Sequence, residues 1–316
     1  MPFFRSVPLF LASLLLPVAA SAAPIGFTLG DGGASLLRLG PIAGSASPLS
    51  VAIRDSSGAS ISLIDIDFEK ETGELYGASA ANDAIYLINP TTGLATFRAG
   101  LPAASAADVI AIDWNNNIDR LRVVDTDTAN FVFNQTTDTV TQFTSLFYVA
   151  GDENEGATPE VFANAYRDSV ANGGAPTAEG GMQMAIDAAT GSLITLGNNA
   201  GTLGTVGSFG FDLTTQGGFD IFSTFDGMGG FDDVGYAILT DAATGITGLF
   251  QIALSADSSG MIATTLLRSF GANADIRGLA VIDSRDAPAI PLPAPVFLLA
   301  TAIAGLAGLK RFRRAA

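Results

Sequence analysis

The chain has no cysteine and no histidine. That excludes a Ser-His-Asp or Cys-His nucleophile, zinc and iron–sulfur centres of the usual ligand types, thiol redox chemistry and a lipid-modified N-terminal Cys. Basic residues are scarce as well: 15 Lys and Arg stand against 31 Asp and Glu, a formal charge of −16 over 316 residues. All the acids lie between Asp31 and Asp286, whereas Arg5, Lys310, Arg311, Arg313 and Arg314 lie outside that span. The body therefore holds 10 bases against 31 acids, a net −21. A surface so acidic repels phosphate backbones, so nucleic acid is not an expected partner. What remains is carboxylate chemistry, oxygen-ligand metal binding, or no chemistry.

The ends read as addresses. Arg5, an apolar run over Val7–Val18 and the small residues Ala20-Ser21-Ala22 predict a signal peptide over 1–22, cut after Ala22. The run is too short to span a bilayer comfortably. At the other end, no charge interrupts the 23 residues between Asp286 and Lys310, and a basic cluster follows. Val296–Leu309 is helix-competent, and extended back through the Pro-rich stretch it reaches bilayer thickness, about 20 residues. Lys310–Arg314 should stay cytoplasmic. The expectation is an exported body with a short transmembrane helix in its tail.

Ile290-Pro291-Leu292-Pro293-Ala294, the short helix and Arg311, Arg313 and Arg314 resemble the VPLPA variant of the PEP-CTERM sorting signal, with Ile290 in place of the usual Val. The resemblance implies an exosortase-type protease of the inner membrane as partner in a Gram-negative bacterium that makes extracellular polysaccharide. It further implies transient anchoring, cleavage near Pro293, and release to the cell surface or matrix. A plain tail anchor is the alternative.

Between these ends, 23–286 shows no long helical pattern. Gly is abundant, and Thr, Ser, Asn and Asp recur in short clusters, so the body reads as many short strands joined by turns. Two motifs repeat. One is a strand, a turn centred on Thr-Gly and a second strand: Tyr86–Thr96, Phe131–Thr141, Met184–Thr195 and, degenerate, Phe250–Thr264. Asn89, Asn134 and Asp187 are placed to cap the turn, and Gly93 and Gly191 to supply its positive φ, with Asp138 in that place in the second copy. The other motif is an apolar strand ending in Asp: Ile64–Phe68, Ile110–Trp114 and Phe209–Leu213. The step from Asp67 to Asp113 is 46 residues, the period of a propeller blade. The expected fold is all-β, a five-bladed β-propeller with blades at about 63–100, 109–145, 160–198 and 205–270. The remaining blade is a composite in which Ile276–Ile282 lies innermost, with strands from 25–53 outside it. The ring is then closed by its two ends, removing exposed sheet edges. A sandwich pair and a β-helix are the rival folds. A core of this size needs no disulfide and no tail to fold.

The body also resembles an uncharacterised family of secreted bacterial proteins known only as a domain of unknown function. The matching stretches are Ile66–Phe68 with Gly73–Tyr76, Asp119–Val124, Ala150–Asp152 with Ala163–Tyr166, and Gly278–Val281. The resemblance implies a propeller-like fold and, since the family carries no known activity, adds no mechanism.

Asp67, Asp113 and Asp212 hold the same place in three repeats. On inner strands they would converge on the central channel, where carboxylates can serve as acid, base or nucleophile in sugar hydrolysis. The competing reading is that each ends its strand and accepts backbone N–H groups from the next turn, and recurrence in several copies favours it, because an active site needs different residues in different roles. Asp152, Glu153, Asn154 and Glu155 form a dense run of oxygen ligands, with further clusters at Asn115–Asn117 and Asp125–Asp127. None has the spacing of an EF-hand loop, so calcium is expected to contribute modestly at most and no cofactor is expected. Trp114, the only tryptophan, suits packing better than sugar stacking. Arg120 and Arg122 suit ion pairs or, second, an anion clamp. The leading expectation is a non-enzymatic surface or matrix protein that binds polysaccharide or another surface component. A glycan-active enzyme using the channel carboxylates is the alternative.

Overall fold

The computed structural model describes residues 23–45, 47–102, 109–116, 118–167, 170, 181–226 and 228–287. Residues 1–22, expected to form a signal peptide, and residues 288–316, with them Pro291, Leu292, Pro293, Ala294, Arg311, Arg313 and Arg314, lie outside the described residues. Among the described residues no helix is long and apolar enough to cross a membrane.

The described residues form 21 strands in chain order. They are β1 (Pro24–Gly30), β2 (Ser35–Pro41) and β3 (Leu49–Ala52), then β4 (Asp65–Glu69), β5 (Glu74–Ser79), β6 (Ala84–Ile88) and β7 (Ala95–Gly100). Next come β8 (Ile110–Asn115), β9 (Arg120–Asp125), β10 (Asn130–Asn134) and β11 (Thr139–Gln142). The two-residue β12 (Phe147–Tyr148) precedes β13 (Val161–Tyr166), β14 (Gln183–Asp187), β15 (Ser192–Leu196) and β16 (Thr202–Ser208). The last are β17 (Gly218–Phe225), β18 (Phe231–Thr240), β19 (Ile246–Ile252), β20 (Thr264–Ala272) and β21 (Arg277–Asp283). They make five antiparallel sheets: β21-β1-β2-β3, β4–β7, β8–β11, β13–β16 with β12 added in parallel at the outer edge, and β17–β20. The innermost strands β21, β4, β8, β13 and β17 pack against one another in a closed ring. The fold is a five-bladed β-propeller.

Closure occurs as the sequence predicts. β21 pairs antiparallel with β1, Ile25 opposite Ile282 and Thr28 opposite Leu279, so the last strand is the inner strand of a sheet begun by the first three. The pleat sends alternate residues of β21 to opposite faces. Leu279 and Val281 pack with Tyr236, Ile238 and Leu249 of the fifth blade, and Ala280 and Ile282 with Phe27 and Phe68 on the other side.

The core is divided among the blade boundaries. Five apolar clusters occupy the five gaps between neighbouring sheets. Phe27 meets Phe68 edge-on at 5.2 Å between the first and second blades, and Tyr76 meets Trp114 at 5.0 Å between the second and third. Trp114 is fully buried, which settles it as a packing residue.

The predicted turn caps form. Asn89 Oδ1 accepts the N–H groups of Thr91 and Thr92, Asn134 Oδ1 that of Thr136, and Asp187 Oδ1 that of Ala189. Gly93 (φ +73°) cannot be replaced freely, because a Cβ there would sit 2.1 Å from the Ala52 carbonyl oxygen. Asp138 takes the same conformation (φ 51°) on an exposed turn, where it pairs with Arg98. The hairpins are not all equivalent, however. Those at Asn89 and Asn134 join the third and fourth strands of their blades, whereas that at Asp187 joins the second and third. Its true counterpart is Asp241, whose Oδ1 accepts from Ala243 and Thr244, and not the degenerate stretch at 250–264.

Blade limits shift accordingly. The fourth blade runs to Ser208 and the fifth begins at Gly218, so Phe209–Gly217 is a connection, not a first strand. Gly210 (φ +77°) turns the chain there, and Phe209 and Leu213 plug the gap between the fourth and fifth blades.

Candidate functional site

The inner strands bring three carboxylates together on the propeller axis. Asp67 (β4), Asp113 (β8) and Asp220 (β17) each offer an oxygen within 4.8 Å of the others, and each is 3% exposed or less. Asp212 is not among them. It is exposed on the connection before β17, and only its backbone carbonyl is engaged, by Ala242 N–H. The place the repeat assigns to Asp212 belongs to Asp220, eight residues on. Gly-Phe-Asp stands at 210–212, 218–220 and 230–232, and of the first two copies only 218–220 lies in a sheet strand.

Each carboxylate also reaches across a blade boundary. Asp67 Oδ2 accepts Trp114 N–H at 2.8 Å, Asp113 Oδ1 accepts Tyr166 N–H at 2.9 Å, and Asp220 Oδ2 accepts Val281 N–H at 2.5 Å. Asp65, one turn of the pleat below Asp67, does the same with Ile112 N–H at 2.8 Å. The innermost strand of a blade has no further strand to pair with, so its free N–H groups need acceptors. Aspartates from the preceding blade provide them. These donors belong to the neighbouring blade, whereas the sequence pointed to the following turn of the same one.

Lys70, on the turn after β4, is the only lysine between the two ends of the chain. Its side chain is 9% exposed, its Nζ lies 3.9 Å from Asp220 Oδ1, and it donates to the Ile221 carbonyl at 3.3 Å. Burial pushes the Asp67 and Asp113 carboxyls well above the ordinary carboxylate range, neighbouring aspartates push them further, and Lys70 opposes. Asp220 is also raised by burial against the pull of Lys70. Burial alone would lower Lys70, but the surrounding carboxylates, Asp220 foremost, hold it above its usual value. Sequence reasoning missed Lys70, since it lies past the strand end where no period marks it.

At one mouth of the channel, Lys70 lines a cavity of about 190 Å³ with Val170, Phe222, Phe225, Val281 and Arg285. None of the three axial aspartates lines it.

The other candidates are structural. Asp152 Oδ2 accepts Thr205 N–H at 2.7 Å, its Oδ1 accepts from the Thr205 hydroxyl and Asn154 N–H, and Asn154 Nδ2 donates to Thr205. Glu155 accepts Gly151 N–H, and Glu153 is exposed. The run ties a loop to β16. Arg122 is buried and donates to the Tyr166 hydroxyl, Asn130 and Asn199, neutral groups rather than the carboxylates the sequence suggested. Arg120 donates to the Asp119 carbonyl.

No curated protein matches the chain. Among solved structures it is similar to a structural genomics protein of unknown function from Bacteroides thetaiotaomicron (14% identity, TM-score 0.44), covering 83% of this chain and 65% of that one. A nidogen/laminin complex matches at 11% identity and TM-score 0.42 over 82% of this chain and 98% of that one. An auxiliary nutrient binding protein from Bacteroides ovatus matches at 12% identity and TM-score 0.38 over 80% and 51%. The chain thus spans less than two thirds of the first and third of these proteins. The family described as "Domain of unknown function (DUF4394)" matches residues 43–280, and the chain belongs to that family.

Proposed function

We propose that this chain is an exported, non-enzymatic propeller that acts at the bacterial cell surface or in the extracellular matrix. It binds polysaccharide or another surface component through the loops of one ring face. Its tail, in this reading, anchors it transiently in the inner membrane until an exosortase-type protease removes it. The observation that carries the non-enzymatic part is the use made of the axial carboxylates. Each gives an oxygen to a backbone N–H of the next blade and is almost wholly buried. A glycosidase needs two carboxyl groups flanking a bound sugar, about 5–10 Å apart in an open site. Neither the cavity at Lys70, about 190 Å³, nor that at Ile64, Val109, Gly217 and Arg277, about 220 Å³, is lined by any of the three, and both are small beside the roughly 300–1,000 Å³ of ordinary ligand pockets. Extended contact over exposed loops suits a polymer better.

The test is a glycan array probed with the full chain, followed by incubation with each glycan bound. Binding without chain shortening is the expected result. Hydrolysis that disappears in Asp113→Asn would overturn the reading. Mass determination of the protein recovered from its host tests the sorting step: the mature C-terminus should fall near Pro293, and an intact tail in released protein would sink it.

A further inference from the structure

We propose that Asp67, Asp113 and Asp220 hold a divalent metal ion, calcium by preference, on the propeller axis, where it ties three blades together. The site is independent of the surface-binding role.

Four observations converge. The three ligand oxygens lie within 4.8 Å of one another, and oxygens that share a calcium ion at about 2.3–2.6 Å are at most about 5 Å apart. Asp67 is 2% exposed, its Oδ2 is held by Trp114 N–H, and its Oδ1 is out of reach of solvent with no hydrogen-bond partner. An orphaned carboxylate oxygen at that depth needs a donor or a cation. Charge gives the third argument. When ionised, the three carboxylates carry two negative charges more than the one ammonium beside them, which one divalent ion cancels. The Lys70 ammonium, 3.9 Å from Asp220, is too far for a hydrogen bond and leaves the space among the carboxylates to another cation. Finally, Lys70 lines the cavity at the channel mouth and its Nζ lies 3.9 Å from Asp220 Oδ1, so this side chain stands at both the cavity and the cluster, where an ion could enter.

Calcium is preferred over magnesium because the carboxylates are fixed on three separate strands by backbone N–H bonds. Such a set tolerates the irregular six-to-eight-fold oxygen shell of calcium better than a near-ideal octahedron. Waters would complete the shell. The acidic run at Asp152–Glu155 is a different place and takes no part, since the Asp152 oxygens are already used by Thr205 and Asn154.

The experiment uses the full chain, stripped with chelator and dialysed against calcium chloride or magnesium chloride, with metal content, calorimetric titration and thermal melts as readouts. One calcium per chain and a higher melting temperature are expected. Asp113→Asn keeps an oxygen to accept Tyr166 N–H but removes the charge, so it should fold and bind calcium at least tenfold more weakly. Lys70→Met removes the competing cation and should bind calcium more tightly, a gain that a misfolded variant would not show. Asp152→Asn should bind as the parent does. A folded parent that retains no calcium would overturn the proposal. So would equal affinity in Asp113→Asn, an unchanged or weaker affinity in Lys70→Met, or loss of binding in Asp152→Asn.

Discussion

Asp67 accepts the backbone N–H of Trp114 at 2.8 Å, across 47 residues and one blade boundary. Removing the acceptor leaves a buried N–H without a partner, which costs about 1–3 kcal/mol. Asp67→Ala should therefore lose about that much stability in urea unfolding with chelator present. Asp67→Asn keeps an acceptor and sheds a buried charge, so it should lose less. Equal losses in the two variants would show that the charge, not the hydrogen bond, is what the fold uses.

The ring closure makes a second expectation. Leu279 is 1% exposed on the closing strand and packs against the fifth blade. Truncating a buried leucine costs about 2–5 kcal/mol. Trp114 sits in the third blade and is the chain's only tryptophan. If the ring unfolds as one unit, Leu279→Ala should shift Trp114 fluorescence and far-ultraviolet circular dichroism by the same amount. A tryptophan transition that stays put while the dichroism moves would mean that blades melt separately.

Asp212 and Asp220 provide an internal control on register. Asp212 is exposed and should tolerate alanine within about 0.5 kcal/mol. Asp220→Ala strips Val281 N–H on the closing strand of its acceptor and should be clearly destabilising. Denaturation midpoints of the two variants, compared side by side, test this. Similar midpoints would return Asp212 to consideration.

Asp152 carries the pH expectation. Burial would raise its carboxyl, but Thr205 N–H, Asn154 N–H and the Thr205 hydroxyl hold it below the ordinary value of 3.8. A carboxyl depressed in the folded state stabilises the fold fully above its unfolded value and loses that contribution as the pH falls through its folded value. The group is mostly solvated, so the effect is small. The stability difference between the parent and Asp152→Asn should accordingly be present near neutral pH and shrink below about pH 3.8. A gap that widens on acidification would reverse the sign.

Much of the architecture is legible because a propeller repeats its physics. Each blade needs a strand that ends in an acceptor and tight hairpins with a short polar cap, so Asp67, Asp113, Asn89 and Asn134 stand at recognisable intervals. The composite blade is legible for a related reason, since neither Ile276–Ile282 nor the strands within 25–53 can satisfy its backbone alone. The fifth blade misleads because Phe209-Gly-Phe-Asp212 copies the pattern of Gly218-Phe-Asp220 without pairing, and only tertiary packing separates them. Asp241–Gly245 repeats Asp187–Gly191 residue for residue, Asp-Ala-Ala-Thr-Gly, and would have marked the second hairpin of that blade. Lys70 left no periodic trace. Its one signal was its solitude among arginines in an acidic body.

The pairing of the first strand with the last also sets a timetable. Thr28 bonds to the carbonyl of Arg277, 249 residues later. At about 5–20 residues per second, a ribosome leaves β1 without its inner partner for about 12–50 s. Throughout that interval four-fifths of the ring can form while one blade waits with a bare edge. Wherever the chain folds, the edge of β1 stays open to stray strand pairing until the last strand reaches it.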